Sequence, residues 1–229
     1  MKYKTDNISS IIFDLDGTLV NTVPDVLLSL NYTLNSFGRP AINNEDIYDL
    51  IGNGARFLLE NAFTKTKMPF TSFDIDAALA CYLQYYSEHP IVETTVYPHV
   101  EELLHHFANS GITLSICTNK PRVITQVLLD KLNLKHLFAV VLSGDEVSFP
   151  KPNAQHIYDV INRTSGDLAQ AVLVGDSLVD KICAENAGIP FIGVSYGYDL
   201  DASADCLMID NFYELPAALI KITEKEKIT

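Results

Sequence analysis

The chain has 229 residues, 48% of them hydrophobic and 20% charged, too apolar for a disordered protein and long enough for one large domain or two modest ones. Its 16 Lys+Arg against 29 Asp+Glu give a formal charge of −13, which repels polyanions and, with no basic stripe in the sequence, argues against nucleic-acid binding. No apolar run approaches the roughly 18 residues of a membrane span.

The first strand is expected at Ser9–Phe13, where a short apolar run ends on Asp14. Asp14 and Asp16 also cut this run too early for a signal-peptide core. From about Thr22 to His89 only helical stripes follow. Val23, Val26, Leu27, Leu30, Leu34 and Phe37 share one face that ends at Gly38, and Ile75, Leu79, Tyr82, Leu83 and Tyr86 form another, with Ser72 as its expected N-cap. The tyrosine pair Tyr85-Tyr86 reads as core and rim of this helical segment. Strand-like hinges near Val20–Asn21 and His89–Tyr97 should tether it.

Beyond the hinges, apolar runs and amphipathic helices alternate. A helix on Val100, Leu103, Leu104 and Phe107 closes at Gly111, and strands are expected at Thr113–Cys117 and Ala139–Leu142. A helix on Ala154, Ile157, Tyr158 and Ile161 comes next, then strands at Ala171–Val174 and Pro190–Val194, with a short sixth at Cys206–Ile209. The tail Lys221–Thr229 is charged and expected to fray. This order implies an α/β fold, a Rossmann-like doubly wound parallel sheet formed by residues 1–20 and 92–229, with a helical cap domain over 21–91. The cysteines Cys81, Cys117, Cys183 and Cys206 stand without CxxC or zinc spacing and are expected as reduced thiols of a cytoplasmic protein. His99, His105, His106 and His136 have no metal-ligand spacing either.

Open α/β sheets bind ligands outside the carboxyl ends of their strands, and four strands deliver polar groups there. Asp14 and Asp16 follow the first, with Gly17 permitting the turn between them and Thr18. Thr118 and Asn119 end the second, Lys151 follows the third, and Asp176 with Asp180 follows the fourth. Clustered carboxylates are costly without a cation, and a few oxygen ligands suit Mg²⁺ together with a phosphate. The helix beginning near Pro121 is expected to aim its N-terminus at the same anion.

Phe13-Asp14-Leu15-Asp16-Gly17-Thr18-Leu19-Val20, Thr118-Asn119-Lys120-Pro121, Lys151-Pro152 and Gly175-Asp176-Ser177-Leu178-Val179-Asp180 resemble the four ordered motifs of haloacid-dehalogenase-superfamily phosphatases. The helical insertion resembles that superfamily's C1-type cap. Ile51-Gly52-Asn53-Gly54-Ala55 and Ser195-Tyr196-Gly197-Tyr198 are similar to segments of bacterial phosphoglycolate phosphatases. Two positions depart from those enzymes: Glu60-Asn61 stands where a basic residue is common, and Asp199 where Asn is common.

The resemblance implies a phosphatase for a small phosphorylated metabolite, with 2-phosphoglycolate the leading substrate. Asp14 would be the nucleophile and Asp16 the general acid and base. Mg²⁺ would be held by the Asp14 side chain, the Asp16 backbone carbonyl and Asp176. Thr118, the Asn119 backbone and Lys151 would stabilise the transferring group. Asp180 is read either as orienting Lys151 or a metal-bound water, or as an ordinary first-turn helix carboxylate. The Gly52-Asn53-Gly54 segment is either a helix–helix turn or a cap loop that enters the site. Arg56 is either a contact for a substrate carboxylate or a solvated helix residue; with Gly17, Asn119 and Gly54 it completes the expected substrate-binding set. The rivals are a phosphatase for a sugar phosphate, nucleotide or pyrophosphate, a phosphomutase, a dehalogenase, and a catalytically silent phosphate sensor. Oligomeric state is left open between monomer and dimer.

Overall fold

The computed structural model describes residues 8–200 and 205–226. Its centre is a six-stranded sheet, with every pairing parallel. The strands are β1 (Ser10–Phe13), β4 (Thr113–Thr118), β5 (Val140–Ser143), β6 (Ala171–Gly175), β7 (Phe191–Val194) and β8 (Leu207–Ile209). All six strand expectations are met to within a residue or two. In space the order is β5-β4-β1-β6-β7-β8. Phe13 on β1 therefore sits beside Ile116 on one side and Val174 on the other. The chain reverses its direction of progression around β1, and the carboxyl ends of β4, β1 and β6 open onto one crevice.

Period-2 alternation divides the strand side chains between two buried layers. Ile11, Phe13, Val172 and Val174 face a cluster with Leu104 and Phe107 of α4 (Val100–Asn109), Leu128 of α5 (Arg122–Lys131) and Leu219 of α8 (Leu215–Glu226). Ile12 and Leu173 face the other layer, filled by Ile157 and Val160 of α6 (Gln155–Thr164) and Cys183 and Ala184 of α7 (Leu178–Ala187). Strands buried on both faces explain the near-continuous apolar runs of the sequence. The expected fraying from Lys221 is not met as far as Glu226, where α8 continues; residues 227–229 lie outside the described residues.

Between β1 and α4 the chain forms three helices, α1 (Val23–Ser36), α2 (Ala55–Lys65) and α3 (Ser72–Glu88), around a separate hydrophobic cluster that includes Leu30, Leu34, Leu59, Phe63, Tyr82 and Tyr86. Ile124 of α5 joins this cluster from below. The α3 N-cap is Thr71, one residue before the expected Ser72: its hydroxyl accepts from Asp74 N, and the Asp74 carboxylate accepts from Thr71 N. Tyr86 is fully buried while Tyr85 stacks on Tyr32 at the rim, 3.9 Å between ring centroids. The two passages into this segment pair as a short antiparallel ladder, β2 (Val20–Asn21) with β3 (Thr95–Val96).

One buried carboxylate ties the second passage down. Asp25 on α1 accepts from the backbone N–H groups of Val92, Glu93 and Thr94 and from the Thr94 hydroxyl, at 2.6–3.0 Å. Arg39 does similar work at the far end of α2. Its guanidinium donates to the Phe63, Met68 and Pro69 carbonyls and to Thr66 Oγ1, and it lies 4.0 Å over the Phe63 ring.

Candidate active site

β1 ends at Phe13, and a tight turn carries the chain from Leu15 back to Val20, closed by Gly17 N to Val20 O at 2.8 Å. Gly17 has φ +84°, and a Cβ there would lie 2.1 Å from Asp176 Oδ2. A side chain at Gly197 would strike the Asp176 Cβ at the same distance. Two glycines thus give the Asp176 carboxylate its place against the β1 loop. The carboxylate is held there by Thr18 Oγ1 at 3.1 Å and Tyr198 N at 2.8 Å. Gly17 is absent from the cavity lining, so this packing is where the structure places it.

Asp14 lies buried at the end of β1. Lys151, with its side chain only 3% exposed, donates to Asp14 Oδ1 at 2.7 Å and to Asp180 Oδ1 at 2.6 Å. Among the described residues no protein donor reaches Asp14 Oδ2. Asp180 is fully buried in the first turn of α7; its Oδ2 accepts from Ser177 N and Ser177 Oγ, closing a capping box. Both of its open readings are therefore present at once, helix cap and Lys151 partner.

Carboxylate oxygens of Asp14, Asp176 and Asp180 lie within 4.8 Å of one another. Burial pushes Asp14 up to about 7, with the Lys151 charge opposing and the Asp180 and Asp16 charges adding. Burial also drives Asp176 well above the usual carboxylate range, helped by Asp14 and Asp180. For Lys151 burial pulls downward, but the Asp14 and Asp180 carboxylates outweigh it and hold the ammonium well above its ordinary value.

The donor set fits a hard divalent cation. Asp180 is spent on Lys151 and Ser177, whereas Asp14 Oδ2 has no protein donor among the described residues and each Asp176 oxygen accepts one hydrogen bond, which leaves both carboxylates able to take a cation, with Gly17 and Gly197 packed against Asp176.

Asp16 points elsewhere. Its Oδ1 accepts from Thr22 Oγ1 and, at 2.8 Å, from Lys120 Nζ. Lys120 was not singled out by sequence reasoning. It is buried, donates also to Tyr86 Oη at 3.1 Å, and sits 4.7 Å over that ring. Its residue type normally reads as surface, and its partners lie 34 and 104 residues away.

Thr118 ends β4, and Asn119 follows it. The Asn119 amide donates to Lys151 O at 3.0 Å and to Gly52 O at 3.2 Å, joining two core loops to the loop before α2. Gly54, at φ +88°, approaches so closely that a Cβ there would meet Asn119 O at 3.1 Å. The Gly52-Asn53-Gly54 segment is both a turn and a wall of the site.

The helix after Pro121 starts beside the cavity, which Pro121 and Ile124 line, with one of its first-turn donors engaged elsewhere. Arg122 N, in the first turn of α5, is already taken by Asp145 Oδ1 at 2.8 Å. Arg56 also stands apart. It is on the exposed face of α2, its side chain 49% exposed, paired with Asp76 and with Glu60 at 3.5 Å, and does not line the cavity. Glu60, one of the two departures from the similar enzymes, is that partner. The other, Asp199, lines the cavity and caps α7 through Leu178 N at 3.1 Å.

His156 was also missed. Fully buried beneath Lys151, it accepts from Lys151 N at 3.3 Å and donates through Nε2 to Leu142 O at 3.2 Å, with burial and the Lys151 charge lowering it to about 4. Its position on the buried α6 stripe with Ile157, Val160 and Ile161 was the available signal.

Asp14, Asp16, Thr118, Asn119, Lys151, Asp176 and Gly54 surround one cavity of about 240 Å³, roofed by Val26, Leu58 and Tyr82. This is smaller than the roughly 300–1,000 Å³ of a drug-sized ligand site. Residues 11–194 match the model of the haloacid dehalogenase-like hydrolases. The chain belongs to this family. A phosphoglycolate phosphatase of Agrobacterium fabrum is 37% identical over 92% of this chain and 91% of its own length. One from Caulobacter vibrioides is 33% identical over 94% and 92%. A crystal structure described as a predicted phosphoglycolate phosphatase, from Haemophilus somnus, superposes with a TM-score of 0.84 at 30% identity, covering 95% of this chain and 98% of that one. This member of the family is a phosphoric monoester hydrolase. No described helix is long and apolar enough to cross a membrane.

Proposed function

We propose that the chain hydrolyses 2-phosphoglycolate to glycolate and phosphate, with Asp14 as nucleophile and Mg²⁺ as cofactor. The observation that carries this reading is Asp14 itself: one oxygen fixed on Lys151, the other without a protein donor among the described residues, beside a cavity sized for a small ester. The names of the relatives support the choice of ester.

Asp14 Oδ2 attacks phosphorus, giving an aspartyl-phosphate and expelling the glycolate oxygen. Asp16 protonates that oxygen, then takes a proton from the water that hydrolyses the intermediate. Lys151, held by Asp180, and the Thr118–Asn119 turn stabilise the transferring phosphoryl group by fixed charge and dipole. Asp14, Asp176 and the Asp16 carbonyl would hold Mg²⁺, which supplies charge neutralisation between carboxylate and phosphate. Residues 21–91 act as the cap over a core of 1–20 and 92–229, and the β2–β3 ladder is its hinge. Cap closure sets substrate choice and excludes water.

The test is phosphate release from a panel of 2-phosphoglycolate, sugar phosphates, nucleotides and pyrophosphate, with and without Mg²⁺. A clear kcat/KM preference for 2-phosphoglycolate supports the reading; a flat or sugar-leaning profile sinks it. Asp14→Asn should abolish turnover of every ester, by at least roughly a thousandfold.

A further inference from the structure

2-Phosphoglycolate carries a carboxylate on the carbon next to its ester oxygen, so its leaving group needs a cation as well as an acid. Two cations line the cavity among the described residues, Lys151 and Lys120. Lys151 is committed to Asp14 and Asp180, beneath the phosphoryl position. Arg56 is tied to Asp76 and Glu60 outside the cavity. Lys120 lines the Asp16 side of the cavity: its ammonium donates to the carboxylate of Asp16, the group proposed above to protonate the ester oxygen.

We infer that Lys120 is the specificity residue that recognises the carboxylate of the leaving group, an inference that rests on the phosphoglycolate reading. An ammonium has three donors. Asp16 Oδ1 takes one and Tyr86 Oη a second, which leaves one for a ligand. Asp16 touches the ester oxygen and Lys120 touches Asp16, so a carboxylate one carbon beyond that oxygen falls within reach of the amine. The Tyr86 ring and hydroxyl fix the amine in place. Because Tyr86 belongs to α3, the cap helps to set the position of a core cation that reads the substrate.

The experiment compares kcat/KM for 2-phosphoglycolate and for 2-hydroxyethyl phosphate, which has the same backbone length and no carboxylate. Losses common to both esters report on Asp16, because Lys120 also holds that side chain; the ratio between them reports on the carboxylate. Lys120→Gln, which keeps a donor without the charge, should lower the ratio by roughly ten- to a hundredfold, mainly through KM. Lys120→Arg keeps the charge and should hold the ratio within about fivefold of the wild type. Thermal midpoints of both variants show whether each is folded. Equal losses on the two esters for Lys120→Gln overturn the assignment of Lys120 while leaving the substrate reading intact. A wild-type enzyme with no preference for the carboxylate-bearing ester overturns that reading, and this assignment with it.

Discussion

Asp14 and its neighbours set up a competition between a proton and a metal ion. With the carboxyl pushed to about 7, the folded chain holds a proton there between pH 4 and 7 that the unfolded chain releases. The sign follows: this site destabilises the fold increasingly as pH rises through that window, and most above pH 7. A divalent cation reverses the cost by binding the charged form. Mg²⁺ should therefore raise the thermal midpoint more at pH 8 than at pH 5, and Asp176→Asn should remove most of the difference. A Mg²⁺ shift independent of pH would contradict this placement of the ion.

His156 gives the opposite slope. Lowered to about 4 from 6.5, it stays neutral in the fold while the unfolded chain protonates. Its contribution is fully present above pH 6.5 and is lost as pH falls toward 4, amounting to about 2 kcal/mol between pH 7 and pH 5. Urea denaturation at the two pH values, comparing wild type with His156→Gln, measures it; the variant should show the smaller pH dependence.

At the scale of the element, the three helices between β1 and α4 depend on buried polar ties as well as on their apolar faces. Asp25 gathers three backbone N–H groups and one hydroxyl at the return passage. Asp25→Asn removes the charge and aims an amide N–H₂ at donors, so it should cost about 2 kcal/mol in urea denaturation. The effect on kcat/KM should be larger for a substrate that needs the cap closed than for p-nitrophenyl phosphate. A neutral result in both measurements would show that the four hydrogen bonds to Asp25 do not hold the return passage.

The six strands and the amphipathic stripes were legible because period and length are local properties. Asp25 and Arg39 were not. Asp25 sits in sequence beside Val26 and Leu27, where an acidic residue in a first helical turn already has an ordinary explanation in the helix dipole. Its acceptors' partners lie 67 to 69 residues on. Strand-end positions of Asp14, Thr118 and Asp176 could be read for the same local reason, while Lys151, eight residues past the end of β5, was legible through its Lys-Pro motif. The pairing of Lys120 with Tyr86 depends on where α3 lands over the sheet, which no spacing encodes.

For the whole molecule the question is how a chain of charge −13 takes in an anionic ester. Among the described residues the cavity has only Lys120 and Lys151 as cationic lining, and Asp14, Asp16, Asp49, Asp176 and Asp199 share its walls. Both lysines are already paired with carboxylates. The long-range field therefore opposes approach, and attraction begins only at close quarters, where burial weakens screening. Salt acts unequally on these two ranges. Raising ionic strength shortens the Debye length from about 30 Å at 0.01 M to about 8 Å at 0.15 M, which screens the repulsion outside the cavity and leaves the buried contacts largely unchanged. At fixed free Mg²⁺, kcat/KM for an anionic ester should then rise on the order of a few-fold over that range, with kcat nearly constant. An enzyme whose surface steered its substrate would lose activity over the same interval. A fall in kcat/KM here would locate a basic approach path that neither the sequence charge nor the cavity lining supplies.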